Sequence, residues 1–385
     1  MRLFHVITSL ETGGAQWVLV QLIQQLKLQG HEQSVISMKP NGEMAQQIVD
    51  MGIPLNEILF NHSNFIQARS KCERIISSFQ ADIIQSWLYH ANFLTIFLRN
   101  QKKIPIFWGI HHSYNPHRHG SLKASTKNIV RMSALFSKVI PQKIICCSRS
   151  ALKSHSRIGY AGSKMVVIPN GIDVNHFKPD LQSRTILRSD LGLSSEIQII
   201  GYIARYHPQK DHATFFYAAN LLLEKNENIH FVLAGDQVDA ENPEIQKYML
   251  SSKNPSHFHL LGKRTDIPMI TAGLDLATLS SSGDEAFPLT IVEAMASGIP
   301  CVATDVGDVK EMVGSSGITV PTQNPKALSE GWLNILSKSP VERAVLGRAS
   351  RDRVLNNYTN ETMAKMYIKV YNSDKGYNEN HVEED

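Results

Sequence analysis

Short apolar runs recur along the whole chain, and stretches with helical spacing separate them. Leu3–Thr8 reads as a buried strand, followed by Gly13-Gly14 and a helix through Leu28. Ser34–Met38, Asp82–Ser86, Ile104–Trp108 and Lys143–Cys147 read as further strands. The rhythm restarts after Pro169-Asn170-Gly171, with strands at Gln198–Ala204, His230–Ala234, His257–Leu260, Leu274–Leu279 and Pro300–Ala303. Alternation of this kind predicts parallel, doubly wound sheets. The segment Asp173–Asp190 has little pattern and contains Pro179, so the junction between two α/β domains is expected there. In such sheets ligands bind beyond the carboxyl ends of the strands, which places the expected chemistry in a cleft between the domains.

Composition changes little in this picture. A chain of 385 residues, 42% hydrophobic and 19% charged, is long enough for two or three folded domains. The four cysteines, Cys72, Cys146, Cys147 and Cys301, form no Cys-x-x-Cys pair and read as reduced thiols. The N-terminal apolar run is broken by His5 and is too short for a signal peptide. No apolar run reaches the roughly 18 residues of a membrane span, so a cytoplasmic protein is expected.

Candidate chemistry is concentrated in four places. In Ser280–Asp305, Glu285 lies on a loop after a strand, and Pro288 stands where a helix can begin. Gly298 and Pro300 would close that helix. Its free N–H groups, at Leu289 and Thr290, suit a phosphate. Glu293, about a turn further in, could accept hydrogen bonds from ribose hydroxyls, and Glu285 could hold hydroxyls of a sugar. The plain alternative is two surface carboxylates. In Gly201–His212, Arg205 and Lys210 follow one strand, and Asp211 is placed to cap a helix. Arg can fork onto two oxygens while Lys supplies a point charge, a pair suited to a diphosphate or simply to solvent. Gly13-Gly14 lacks the G-x-G-x-x-G pattern of a dinucleotide site and is otherwise a tight strand-to-helix turn. In Trp108–His112, two histidines follow a strand. His117 and His119 are near in sequence, but no Cys or carboxylate accompanies them, and Arg118 and Lys123 oppose a zinc site.

The stretch AFPLTIVEAMASGIPCVATDVGDVKEMV, preceded by Glu285 with seven residues between it and Glu293, resembles the retaining nucleotide-sugar glycosyltransferases of the GT-B fold, family 4 (group 1) type. GYIARYHPQKDH resembles the same family's diphosphate grip. Ala286 stands where Gly is common, and Asp308 where a second Gly is common. The resemblance covers nearly the whole chain, with its specific motifs in Ile168–Val313. It implies two Rossmann-like domains, residues 1–178 on the acceptor side and 179–357 on the nucleotide side, with a helix in 358–385 returning to the first and ending in an acidic tail. It implies Arg205 and Lys210 on the donor diphosphate, with Gly13, Gly14, Arg264, Leu289, Thr290 and Glu293 completing the donor site. It implies a catalytic set of His111, Glu285, Arg205 and Lys210, with His112 competing for the role of His111. The implied reaction is metal-independent, needs no cofactor, and passes a hexose or N-acetylhexosamine from a nucleotide diphosphate, with UDP the family's prevalent nucleotide, to a glycan or lipid-linked acceptor of a cell-surface polysaccharide or lipopolysaccharide. No Asp-x-Asp occurs to hold a cation. A nucleotide-sugar epimerase of the same fold, or a non-catalytic binding protein, is the alternative.

Charge supplies one further expectation. Between Ile83 and Ile172 there is no Asp or Glu, against thirteen Lys and Arg, from Arg99 to Lys164. Lys123, Lys127, Arg131 and Lys138 interleave there with Leu122, Ile129, Val130, Met132, Leu135, Phe136 and Val139. Such a basic amphipathic helix suits an anionic membrane surface on the cytoplasmic face of an inner membrane. A solvated face or a nucleic-acid stripe would read similarly, but no nucleic-acid module accompanies it. The tail after Tyr371, with Asp374, Glu379, Glu383, Glu384 and Asp385 against Lys375, is expected to be solvated.

Overall fold

The computed structural model describes residues 1–61, 63–98, 103–115, 123–283 and 285–373. Arg99, Lys102, His117, Arg118, His119, Leu122 and the acidic tail from Asp374 lie outside the described residues. The chain forms two compact units. One is made of the described residues of Ile172–Thr359, and the other of the described residues that precede Ile172 and those from Asn360 onward.

The first unit is built on seven parallel strands: β1 (Arg2–Ile7), β2 (Glu32–Ser37), β3 (Leu55–Glu57), β4 (Ile83–Trp87), β5 (Ile106–Ile110), β6 (Lys143–Cys146) and β7 (Met165–Val167). They lie in the order β3-β2-β1-β4-β5-β6-β7. The central strands are buried along nearly their whole length, which is why their sequences are continuous apolar runs rather than alternations. The polar residues within them find one another. His5 Nε2 bonds Gln33 Oε1 at 3.2 Å, and Gln33 Nε2 donates to the Ile23 carbonyl at 2.9 Å. Desolvation pushes the His5 pKa down to about 4, so this buried imidazole is neutral.

The second unit is built on six parallel strands: β8 (Gln198–Ile203), β9 (Ile229–Ala234), β10 (Phe258–Leu260), β11 (Leu276–Leu279), β12 (Cys301–Thr304) and β13 (Ile318–Val320), in the order β10-β9-β8-β11-β12-β13. Each sheet reverses its winding once, between β1 and β4 in the first and between β8 and β11 in the second. A reversal opens a crevice at the carboxyl ends of its two strands, because the flanking helices cross to opposite faces there.

Three strands, β3, β7 and β13, were not expected from the sequence. Each has three residues and lies at the edge of its sheet, too short to show a period. β5 starts two positions later than expected, at Ile106 rather than Ile104, so Trp108 lies inside the strand and His111 follows it directly. The segment expected to be a patternless junction contains a helix, Leu181–Asp190, with the Asp180 side chain accepting from the Gln182 N–H. Its inward face carries Ser183, Leu187 and Arg188 rather than an apolar stripe, which hid it. Arg184 and Arg188 each reach the Asp275 carboxylate at 2.5 Å, just before β11.

The chain crosses between units at Gly171–Ile172 and returns at Thr359–Asn360. The residues from Ile172 to Pro179 go with the second unit because they are bonded there. The Ile172 N–H donates to the Tyr358 carbonyl at 2.8 Å, Ile172 bridges Thr359, and Arg351 donates to the carbonyls of Val174 and Phe177. The last helix, Asn360–Asn372, packs on the helix Gly14–Leu28 in the first unit. There Asn360 Nδ2 donates to Gln21 Oε1 at 2.7 Å, and Met363 Sδ accepts from the Gly171 N–H.

Candidate active site

In the second unit the expected residues come together around the reversal between β8 and β11. Arg205 and Lys210 follow β8. Glu285 and the helix Leu289–Ala296 follow β11. Lys210 ends the short turn Pro208–Lys210, and Asp211 caps the next helix as expected, accepting from the Thr214 N–H at 3.2 Å and from its hydroxyl at 2.7 Å. The two loops are fastened to each other. Ser280 Oγ donates to the carbonyls of Lys210 and Asp211, the Ser282 N–H donates to the Gln209 carbonyl, and the buried Tyr202 hydroxyl donates to the Lys210 carbonyl.

This framework fixes the charged groups. Lys210 Nζ lies 2.5 Å from Glu285 Oε1, which also accepts from Ser281 Oγ at 2.8 Å. Gly307, at φ +58°, backs the Glu285 loop closely. A Cβ there would stand 2.2 Å from the Glu285 carbonyl oxygen and 3.0 Å from that of Ala286. His207 lies among these charges. Its pKa is lowered by burial first and then by Arg205 and Lys210, with Glu285 opposing. Arg205 itself is exposed.

The helix Leu289–Ala296 starts after Pro288, which offers no side-chain cap, so the amides of Leu289 and Thr290 are presented at its positive end. Glu293 is partly buried one turn further in. Desolvation of its carboxyl pushes the pKa up to about 7. Gly298, at φ +73°, follows the last turn as a left-handed stop. Arg264 has a different setting from its neighbours in the expected set. It is turned onto its own loop in a two-pronged pair with Asp266, at 2.8 and 2.6 Å.

In the first unit, Gly13 and Gly14 open the helix after β1, with Gly13 extended at φ −177° and making no side-chain cap. His111 and His112 follow β5 and have opposite environments. His112 is exposed. His111 is 9% exposed, and its ring is stacked on Trp87 at 5.0 Å between centroids and 16° between planes. Neither His111 ring nitrogen has a hydrogen-bond partner among the described residues. Burial, helped by the neighbouring His112, lowers its pKa to about 3, although the nearby Asn170 side chain pulls the other way. At neutral pH the imidazole is therefore uncharged. Leu88, at the reversal between β1 and β4, sits at φ +70°, a strained backbone for a bulky residue.

Sequence reasoning missed Ser280, Ser281, Ser282, Tyr202 and Gly307 in the second unit and Trp87 in the first. Only the run of three serines was a visible signal. The others act through partners distant in sequence.

The family model for Glycosyltransferase Family 4 matches residues 12–176, and that for Glycosyl transferases group 1 matches residues 197–338. The chain belongs to this family of glycosyltransferases, and its two Rossmann-like units are of the GT-B type. It is 28% identical over 187 residues to an Escherichia coli UDP-Gal:alpha-D-GlcNAc-diphosphoundecaprenol alpha-1,3-galactosyltransferase, a stretch covering 48% of the chain and 48%, about half, of that protein. It is 24% identical over 362 residues to the N,N'-diacetylbacillosaminyl-diphospho-undecaprenol alpha-1,3-N-acetylgalactosaminyltransferase of Campylobacter jejuni, covering 89% of the chain and 92% of that protein. The fold matches the crystal structure of Anabaena Alr3699/HepE in complex with UDP, with a TM-score of 0.85 at 19% identity over 97% of the chain and 100% of that protein.

Proposed function

We propose that the chain is a retaining glycosyltransferase that moves a hexose or N-acetylhexosamine from a UDP-linked donor to a glycan or lipid-linked acceptor, without a metal. One observation carries this reading. Two cations, a fixed carboxylate and an uncapped helix N-terminus gather at the reversal of the second sheet, on loops bonded to each other. UDP is named in the E. coli relative and bound in the Anabaena structure, and both relatives' names carry a diphosphoundecaprenol, which supports a lipid-linked acceptor.

In this mechanism Arg205, Lys210 and the amides of Leu289 and Thr290 receive the donor diphosphate, Glu293 takes the ribose hydroxyls, and Glu285 orients the sugar. His111 offers the sugar a neutral imidazole. The bond from the anomeric carbon to the phosphate oxygen breaks, and the acceptor hydroxyl oxygen bonds that carbon on the same face. The acceptor proton passes to the departing phosphate oxygen. Negative charge builds on the leaving diphosphate, so the cations act on the transition state more than on the ground state. A thermal-shift panel of nucleotides and nucleotide sugars, run with EDTA, tests the reading, since a ligand that binds the native state raises its Tm. UDP and one UDP-sugar should stabilise the protein, and chelator should leave turnover unchanged. Activity lost in EDTA and restored by magnesium or manganese would overturn the metal-free part. Binding without any transfer would favour a non-catalytic protein, and interconversion of free UDP-sugars an epimerase.

We also propose that the first unit docks on anionic bilayers on the cytoplasmic face of the inner membrane. On the helix Ala124–Phe136 and the turn after it, Met132, Leu135 and Val139 are 44%, 62% and 76% exposed, beside exposed Arg131 and Lys138. Apolar side chains on a basic face support lipid contact, at on the order of 1 kcal/mol per basic residue. Among the described residues no helix is long and apolar enough to cross a membrane. Anionic vesicles should sediment the protein at low salt, and replacing Lys123, Lys127, Arg131 and Lys138 with Gln should weaken this without touching UDP binding. Equal sedimentation with neutral vesicles would sink the idea.

A further inference from the structure

An imidazole that works on a substrate is usually oriented by a hydrogen bond to its other nitrogen, which also fixes the tautomer. His111 makes no hydrogen bond of good geometry among the described residues, although the Asn170 side chain lies close enough to favour its charged form; it is buried, and packing sets its plane. The only ring stacked flat against it among the described residues is the indole of Trp87. Trp87 is itself fully buried and is stacked with Tyr367 of the last helix, at 6.0 Å and 20°.

Both ends of this stack are anchored. The Trp87 indole N–H donates to His5 Nδ1 at 3.3 Å, and His5 in turn is held by Gln33. Tyr367 leans on Tyr371 at 5.9 Å, and the Tyr371 hydroxyl donates to Gln85 Oε1 at 3.0 Å. Gly109 keeps the approach open, since a Cβ there would come within 3.3 Å of His111 Nε2 and 3.0 Å of the Ser86 carbonyl oxygen. Flat aromatic contacts fix orientation while using no lone pair and no N–H of the imidazole.

We propose that Trp87 and Tyr367 are positioning residues for His111, a stacked pair that sets the plane of a neutral imidazole and leaves both its nitrogens for the substrate. This rests on the role given to His111 above. It makes the last helix, remote in sequence, part of the active site's support.

Selective 15N-histidine labelling reads the His111 ring without any substrate, its signal assigned by its disappearance in His111→Gln. The ring should be neutral and untitrated between about pH 5 and pH 8, in keeping with its burial. Tyr367→Leu should move its ring signals, and Tyr367→Phe should restore them. Unchanged signals in Tyr367→Leu would overturn the proposal. A kinetic cycle adds the functional arm, using the UDP-sugar that most raises Tm. Tyr367→Leu should lower kcat about tenfold at unchanged donor KM, and should cost nothing further in a His111→Gln background, as expected when two residues act through one group. Equal losses in both backgrounds would make the stack merely structural. If Tyr367→Leu fails to fold, Tyr367→Met and Trp87→Phe run the same cycle. Full activity in His111→Gln alone would instead refute the role of His111, and so the reading on which this rests.

Discussion

The crevice ends of the two sheets hold their key groups in opposite ways. In the second unit polar bonds do it: Glu285 is held by Lys210 and Ser281, and the Lys210 loop is fastened through Ser280 and Ser282. In the first unit His111 rests on an aromatic ring and has no hydrogen bond among the described residues. The difference follows from charge. A carboxylate and an ammonium must be paired if they are to stay ionised near the interior, whereas an uncharged imidazole is far less costly to bury than an ion, although its unbonded nitrogens still carry a desolvation penalty. Charged groups therefore need a polar frame, and an uncharged ring does not.

The largest expected effect comes from breaking the polar frame at its cations. Arg205→Ala or Lys210→Ala should lower turnover by at least about a hundredfold, the scale of a lost transition-state contact, with the Tm held in the exposed Arg205→Ala and lowered in Lys210→Ala, which removes the ammonium paired with Glu285. Normal turnover in both variants would remove the diphosphate assignment. A smaller loss should follow from crowding the frame. Gly307→Ala puts a methyl against the Glu285 carbonyl at a positive φ, so kcat should fall roughly tenfold, about 1.4 kcal/mol, while UDP affinity changes little. Parent-like kcat would show that the Glu285 loop moves without consequence.

The smallest effect sharpens the comparison through pH. The Glu293 pKa of about 7 lies above its ordinary value of 4.5, so the free protein holds a proton there below about pH 7. Ribose hydroxyls are best accepted by the ionised form. UDP affinity should therefore rise several-fold from about pH 6 to pH 8 and be flat in Glu293→Gln. The same shift works the other way on folding. The native state binds that proton more tightly than the unfolded chain, so its contribution to stability is full below about pH 4.5 and is lost as pH rises through about 7. A UDP titration with the same slope in Glu293→Gln would assign the pH dependence elsewhere.

Much of the second site was legible because its residues are close in sequence and follow strands with clear apolar runs. Pro288, Leu289 and Glu293 lie on one short helix, and Asp211 caps the helix the sequence suggested. What escaped was of two kinds. The three-residue edge strands β3, β7 and β13 are too short for any periodicity, and the helix Leu181–Asp190 buries Ser183 and Arg188 beside Leu187, so no apolar stripe marked it. The support of His111 was invisible for another reason. Tyr367 belongs to a helix expected only as returning, and nothing in its spacing points to Trp87.

The paired crossings have a consequence for how such a chain can change. Ile172 and Thr359 are bridged, so the second unit begins and ends at one point. Topologically it is an insertion, a closed loop of chain set into an otherwise continuous first unit. A segment whose two ends already meet can be exchanged for a homologous one while only two adjacent splice points must match. Recombination could then give the same first unit a new second unit, and a chimera joined at those two points tests which unit sets donor choice.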